Sequence, residues 1–199
     1  MPERSPRNAS VHEAGHTVAY WLLGHGQYIR EIDVRGDVNC VGATHYEGPD
    51  LAAWTRDLGP RVAATWYATV GLAGRCATGV EQGQEHDWFQ QLRDEYNRSP
   101  KHNAAHDVTL VVDGIRKTLG KHASPWQFIG VRARWIAELL GEPRVWRAVN
   151  ALADRLSREQ RLSGRDACEV IVGAWGQPDG WPILQLGLKW GERFAPKGR

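Results

Sequence analysis

The sequence predicts a mostly helical α+β domain with a small β-hairpin beside an N-terminal helix. Three observations predict it. A single stretch, Tyr28 to Tyr46, alternates in the manner of paired strands. From Asp50 to Val172 one helical periodicity follows another, separated by Gly and Pro. The chain is 199 residues long and 42% hydrophobic, enough to bury one core.

The elements follow in order. Ser10 is followed by Val11, Ala14, Val18, Ala19, Leu22 and Leu23, an amphipathic helical spacing that Gly24 and Gly26 stop. Ser10-x-x-Glu13 matches a capping box, which predicts that the helix starts at Ser10. Tyr28, Ile32 and Val34 alternate with charged residues, Gly36-Asp37 marks a turn, and Cys40–Tyr46 resumes extended character. Helices are then predicted at Asp50–Leu58, Arg61–Gly79, Glu85–Tyr96, Asn103–Leu119, Pro125–Leu140, Pro143–Arg158 and Ser163–Val172. Residues 1–172 therefore form the expected domain, and 173–199, rich in Gly and Pro without a period, form a partly irregular extension.

Composition narrows the function. A net charge of +2 offers no field of the size that nucleic acid or a membrane surface would call for, so neither is an expected partner. Cys40, Cys76 and Cys168 contain no CxxC pair, which speaks against both a disulfide framework and a thiolate zinc site and fits a reducing cytoplasm. Neither a secretory signal nor an apolar run of the roughly 20 residues that cross a bilayer is visible, so a cytoplasmic location is expected. Ten Trp at irregular intervals read as core and groove aromatics.

The chemistry is carried by His12-Glu13-Ala14-Gly15-His16. Two His four apart on a helix face the same side one turn apart, where one Zn²⁺ can bridge them. Glu13, beside the metal rather than on it, can accept the proton of a metal-bound water and act as general base. With 8 His in the chain, the pattern arises by chance in roughly one such sequence in fifty, so its helical context is needed to support it. A zinc hydrolase needs a third protein ligand, and spacing leaves Glu85, His86, Asp87, His102, His106 and Asp107 open. His102 and His106 repeat the four-residue spacing without a Glu to take the proton.

His12–Val18 resembles the active-site helix of the FtsH family of zinc proteases, and three further segments resemble that family in the same order. Ile29–Thr44 is similar to its strand pair, Val70–Ala77 to its Gly-Arg helix, and Ala148–Ile171 to its closing helical pair around a Leu-Ser-Gly turn. The resemblance implies a zincin-like fold and a metalloendopeptidase with Zn²⁺ held by His12, His16 and Asp87, and Glu13 as the catalytic residue. Thr78 stands where that family commonly has Glu, and the Thr-x-Gly-Ala run before its Asp is missing. Gly42, Ala43 and Thr44 are the expected substrate-binding strand, pairing with an extended peptide through the main chain.

No Walker A motif occurs, so an ATP-independent enzyme is expected, acting on peptides or unfolded protein or borrowing a separate unfoldase. The alternative expectation is a catalytically degenerate zinc-binding module of the same kind, serving as a protein-binding or regulatory domain. Oligomeric state and physiological substrate have no signature in the sequence.

Overall fold

The computed structural model describes residues 6–35, 42–84, 88–98, 103–120 and 122–176. Helices dominate: α1 (Pro6–Tyr20), α2 (Leu51–Leu58), α3 (Pro60–Glu81), α4 (Trp88–Arg98), α5 (Asn103–Leu119), α6 (Pro125–Gly141), α7 (Pro143–Glu159) and α8 (Gly164–Trp175). Three short strands, β1 (Ile29–Asp33), β2 (Ala43–Tyr46) and β3 (Arg161–Ser163), form one antiparallel sheet in the order β2-β1-β3. The mostly helical α+β class and the hairpin are as the sequence predicts.

Two expectations need correction. Ser10 is not the start of α1, because the helix already runs from Pro6 and Ser10 is fully buried in its interior. Nor is α1 amphipathic. From Ala9 to Tyr20 every residue except the half-buried His12 is buried, because α3, α7 and the sheet surround the helix. Such a helix is buried on all sides, and its polar residues must find partners inside the protein. Thr17 Oγ1 donates to the Glu13 carbonyl at 2.7 Å, and the buried Glu13 and His16 belong to the site described below.

The stop predicted at Gly24 is real but wider than a simple cap. A π turn, Trp21–His25, carries Gly24 at φ 82°, a left-handed conformation that glycine adopts without steric cost. Strand β3 was not expected; Leu162 and Ser163, read as a turn between helices, pair with Ile32 and Glu31 of β1. Ser163 then caps α8, accepting from the Asp166 N–H at 3.2 Å. Helix α8 continues to Trp175, past the expected domain boundary at residue 172.

α1 packs on α3 and α7, and α3 packs in turn on α2, α5 and α6, so α1 and α3 form the centre of the molecule. Arg7 fastens the start of α1 to both neighbours, donating to Glu81 at 3.1 Å, to Asn150 at 2.7 Å and to Asp154. At the other end Trp21 packs against Trp175, ring centroids 5.8 Å apart. Several of the tryptophans are core aromatics of the expected kind: Trp54 and Trp66 enclose His25, and Trp126 meets Tyr96. No described helix is long and apolar enough to cross a membrane.

Candidate metal centre

His12 and His16 lie one turn apart on α1, facing α3 and α5. Their Nε2 atoms are 3.0 Å apart. The side chain that closes the group is Asp107 of α5, whose Oδ2 is 3.0 Å from His12 Nε2 and 3.4 Å from His16 Nε2. One ligand atom from each residue lies within 4.8 Å of the others, so the three residues can hold a metal ion. A tetrahedral zinc site with Zn–N and Zn–O near 2.0–2.1 Å has ligand–ligand edges of about 3.3 Å, close to the observed triangle.

Small residues build this closeness. A Cβ on Gly74 of α3 would lie 2.3 Å from His16 Nε2, and one on Gly15 would lie 2.6 Å from the Ala73 carbonyl oxygen. The two glycines therefore let α1 and α3 approach until the His16 ring lies against the α3 backbone. One turn earlier on α3, a Cβ on Gly71 would lie 2.4 Å from Val111 Cγ2, so α5 also sits close. Val111 follows Asp107 by one turn of α5, and the same close packing brings Asp107 to the histidines.

The surroundings orient the donors. His16 Nδ1 bonds to the Val70 carbonyl at 2.7 Å, which places the proton on Nδ1 and leaves Nε2 to face the group. Burial opposes charge on His16, but Asp107, Glu13 and the Val70 carbonyl outweigh it and push its pKa up to about 9. Burial likewise opposes ionisation of Asp107, yet the charge and hydrogen bonds of His16 and His12 hold its carboxyl far below the carboxylate range. Three donors this close repel one another unless a proton or a cation lies between them.

Glu13 is 6% exposed, and its Oε2 accepts from Thr44 Oγ1 of β2 at 2.8 Å. Gly42 lies beside it, since a Cβ there would be 2.8 Å from Glu13 Cγ. Tyr46, two residues beyond Thr44, has its hydroxyl buried without a hydrogen-bond partner. Burial raises its pKa well above the usual value, and the charge of Glu13 adds to that.

The structure thus brings together His12, His16, Glu13 and the Gly42–Thr44 strand, all singled out in the sequence. Asp87, with Glu85 and His86, lies outside the described residues, as does His102. The family resemblance implies Asp87, whereas Asp107 is one of the residues that spacing leaves open. A signal for it was present: Val108, Val111, Val112 and Ile115 form the buried face of α5, and Asp107 is the charged residue that continues that face. His106, next to it, is exposed. His45 is exposed and pairs across the sheet with Glu31. Thr78, where the resembling family carries Glu, is buried and donates back to the Gly74 carbonyl at 3.1 Å. Cys168 donates to the Gly26 carbonyl at 3.4 Å, and burial pushes the Cys76 thiol up, so both act as inert packing groups. No family model matches the chain, and no curated protein matches it.

Proposed function

We propose that this chain is a zinc-dependent metalloendopeptidase that cleaves extended or unfolded polypeptide without ATP. The observation that carries the reading is the meeting of His12, His16 and Asp107 beside a buried, hydrogen-bonded Glu13. Two imidazoles and one carboxylate suit zinc and also ferrous iron. The neighbouring carboxylate favours hydrolysis, which needs a proton acceptor next to the attacking water.

In this reading Asp107 is the third ligand, in place of the Asp87 that the family resemblance suggests. Zinc bound there supplies an acidified water and a Lewis acid for the scissile carbonyl. Glu13 would accept one proton as the water's oxygen bonds to the carbonyl carbon, then return it to the amine nitrogen, upon which the C–N bond breaks and the amine leaves. The Val70 carbonyl keeps His16 in the tautomer that presents Nε2. β2 is an edge strand of the described sheet, with β1 on one side, and its other edge accepts the substrate main chain along Gly42, Ala43 and Thr44. Folded targets require a separate unfoldase or adaptor.

The test uses purified full-length protein. Wild type is expected to hold one zinc per chain and cleave casein, Glu13→Gln to keep the zinc while losing activity by about 10²–10⁴-fold, and Asp107→Ala to lose both. Asp87→Ala keeping its zinc supports Asp107 as the ligand; Asp87→Ala losing it while Asp107→Ala does not returns the role to Asp87. Iron in place of zinc overturns the zinc assignment, cleavage that survives Glu13→Gln overturns Glu13 as the proton acceptor, and a zinc-loaded wild type that cleaves nothing overturns the peptidase reading.

A further inference from the structure

We infer that Thr44 is the positioning residue of the Glu13 carboxylate, so that β2 sets the geometry of proton transfer as well as offering an edge to substrate. The inference rests on the reading of Glu13 as proton acceptor and deepens it.

A glutamate side chain has three rotatable bonds, and a general base acts only when its carboxylate is held within hydrogen-bond reach of the proton it takes. α1 fixes the Glu13 backbone and leaves the carboxylate to be fixed by something else. Thr44 does this by donating from Oγ1 to Glu13 Oε2 at 2.8 Å. Thr17 Oγ1 gives its own proton to the Glu13 carbonyl at 2.7 Å and stands 3.3 Å from Thr44 Oγ1, so the carboxylate, nearer at 2.8 Å and charged, is the stronger acceptor for the Thr44 proton.

The side chain is also confined sterically. Gly42 and Thr44, two apart along the chain, present the same side to Glu13. A Cβ on Gly42 would come within 2.8 Å of Glu13 Cγ and 3.0 Å of Oε1, so the backbone there closes over the oxygen that Thr44 does not hold. Glu13 is thus gripped from one strand, by backbone at one oxygen and by hydroxyl at the other. The ordinary role of a threonine in a strand, packing with a branched side chain, would be met equally by valine. Donation to the carboxylate would not.

The experiment compares wild type, Thr44→Val, Thr44→Ser and Glu13→Gln as zinc-loaded full-length protein. Valine keeps the shape and removes the donor, whereas serine keeps the donor and loses a methyl group. Three quantities are read: zinc per chain, kcat and KM on a fluorogenic casein peptide, and affinity for acetohydroxamate. The last needs no turnover, because a metal-bound hydroxamate places its acidic proton beside the neighbouring carboxylate. Thr44→Val is expected to keep its zinc and to hold KM within about twofold, while kcat and hydroxamate affinity fall on the order of ten- to a hundredfold. Thr44→Ser is expected to recover both to within about threefold of wild type. Wild-type kcat and hydroxamate affinity in Thr44→Val, or a serine variant as impaired as the valine one, overturns the role of Thr44 while leaving the peptidase reading intact. Loss of function in Thr44→Val together with loss of zinc also overturns it, because the residue would then support the fold. If Glu13→Gln changes neither cleavage nor hydroxamate binding, Glu13 is not the proton acceptor and this inference fails with that role; if wild type has neither, the peptidase reading itself fails and this inference with it.

Discussion

In the metal-free protein His16 is buried yet its pKa is pushed up to about 9, because Asp107, Glu13 and the Val70 carbonyl together outweigh the cost of burying the charge. A folded-state value above the ordinary 6.5 of histidine means that the proton stabilises the folded chain. That contribution is complete below pH 6.5 and is lost as pH rises through about 9. Chelator-treated protein should therefore melt at progressively lower temperature from pH 6.5 to 9. Zinc binding should strengthen over the same interval, about tenfold per pH unit for one displaced proton, since metal and proton compete for the same nitrogen. Melting curves and zinc titrations across this range check both; an apo melting temperature that climbs between these pH values contradicts the argument. At this scale His12, Glu13 and His16 were readable because their spacing is local and set by one helical turn. Asp107 was not, because its place depends on how α5 crosses α3, and nothing in the segment around residue 107 alone encodes that crossing.

Among the elements, α3 is where the site is most exposed to damage. Gly74→Ala places a methyl group 2.3 Å from His16 Nε2, beside backbone that cannot retreat, so the imidazole must leave the ligand triangle. Overpacking of this kind costs about 1–3 kcal/mol. The expected outcome is a protein of unchanged helical circular dichroism that holds no zinc and melts several degrees lower. Gly173→Ala gives the opposite result, since Gly173 is an exposed helical residue of α8 with open space where a Cβ would go. It should stabilise the fold by about 0.4–1 kcal/mol with zinc content untouched, as thermal melts would record. Helix boundaries were largely readable, with the helix expected at about Asn103–Leu119 present as α5, because Pro, Gly and capping side chains act locally. The burial of α1 on every side was not, because the apolar stripe of a sequence reports one partner, and α1 has three.

At the level of the molecule, the proposed metal links residues of α1 and α5 that stand 95 positions apart in the chain. Zinc that binds only the folded form stabilises it by mass action, about 2.7 kcal/mol at a free concentration one hundred times Kd. Adding a chelator should lower the melting temperature of wild type and leave Asp107→Ala unmoved, which differential scanning calorimetry would register. β3 is the clearest case of structure hidden at this level. Three residues, Arg161–Ser163, have no strand signature of their own and become a strand because β1 offers them an edge.

The burial of α1 also bears on the order in which the molecule can be made. This helix leaves the ribosome before α3, α5 and α7, but Arg7 bonds to Asn150 and Asp154, and Trp21 packs on Trp175. During synthesis α1 must wait, its apolar sides uncovered, until more than a hundred further residues have emerged. A nascent chain stalled before α5 lacks Asp107, and one stalled before α7 lacks the wall that holds α1 in place. A hydrolytic centre of the kind proposed, assembled from such distant parts, would stay silent while its own chain is unfolded and within reach.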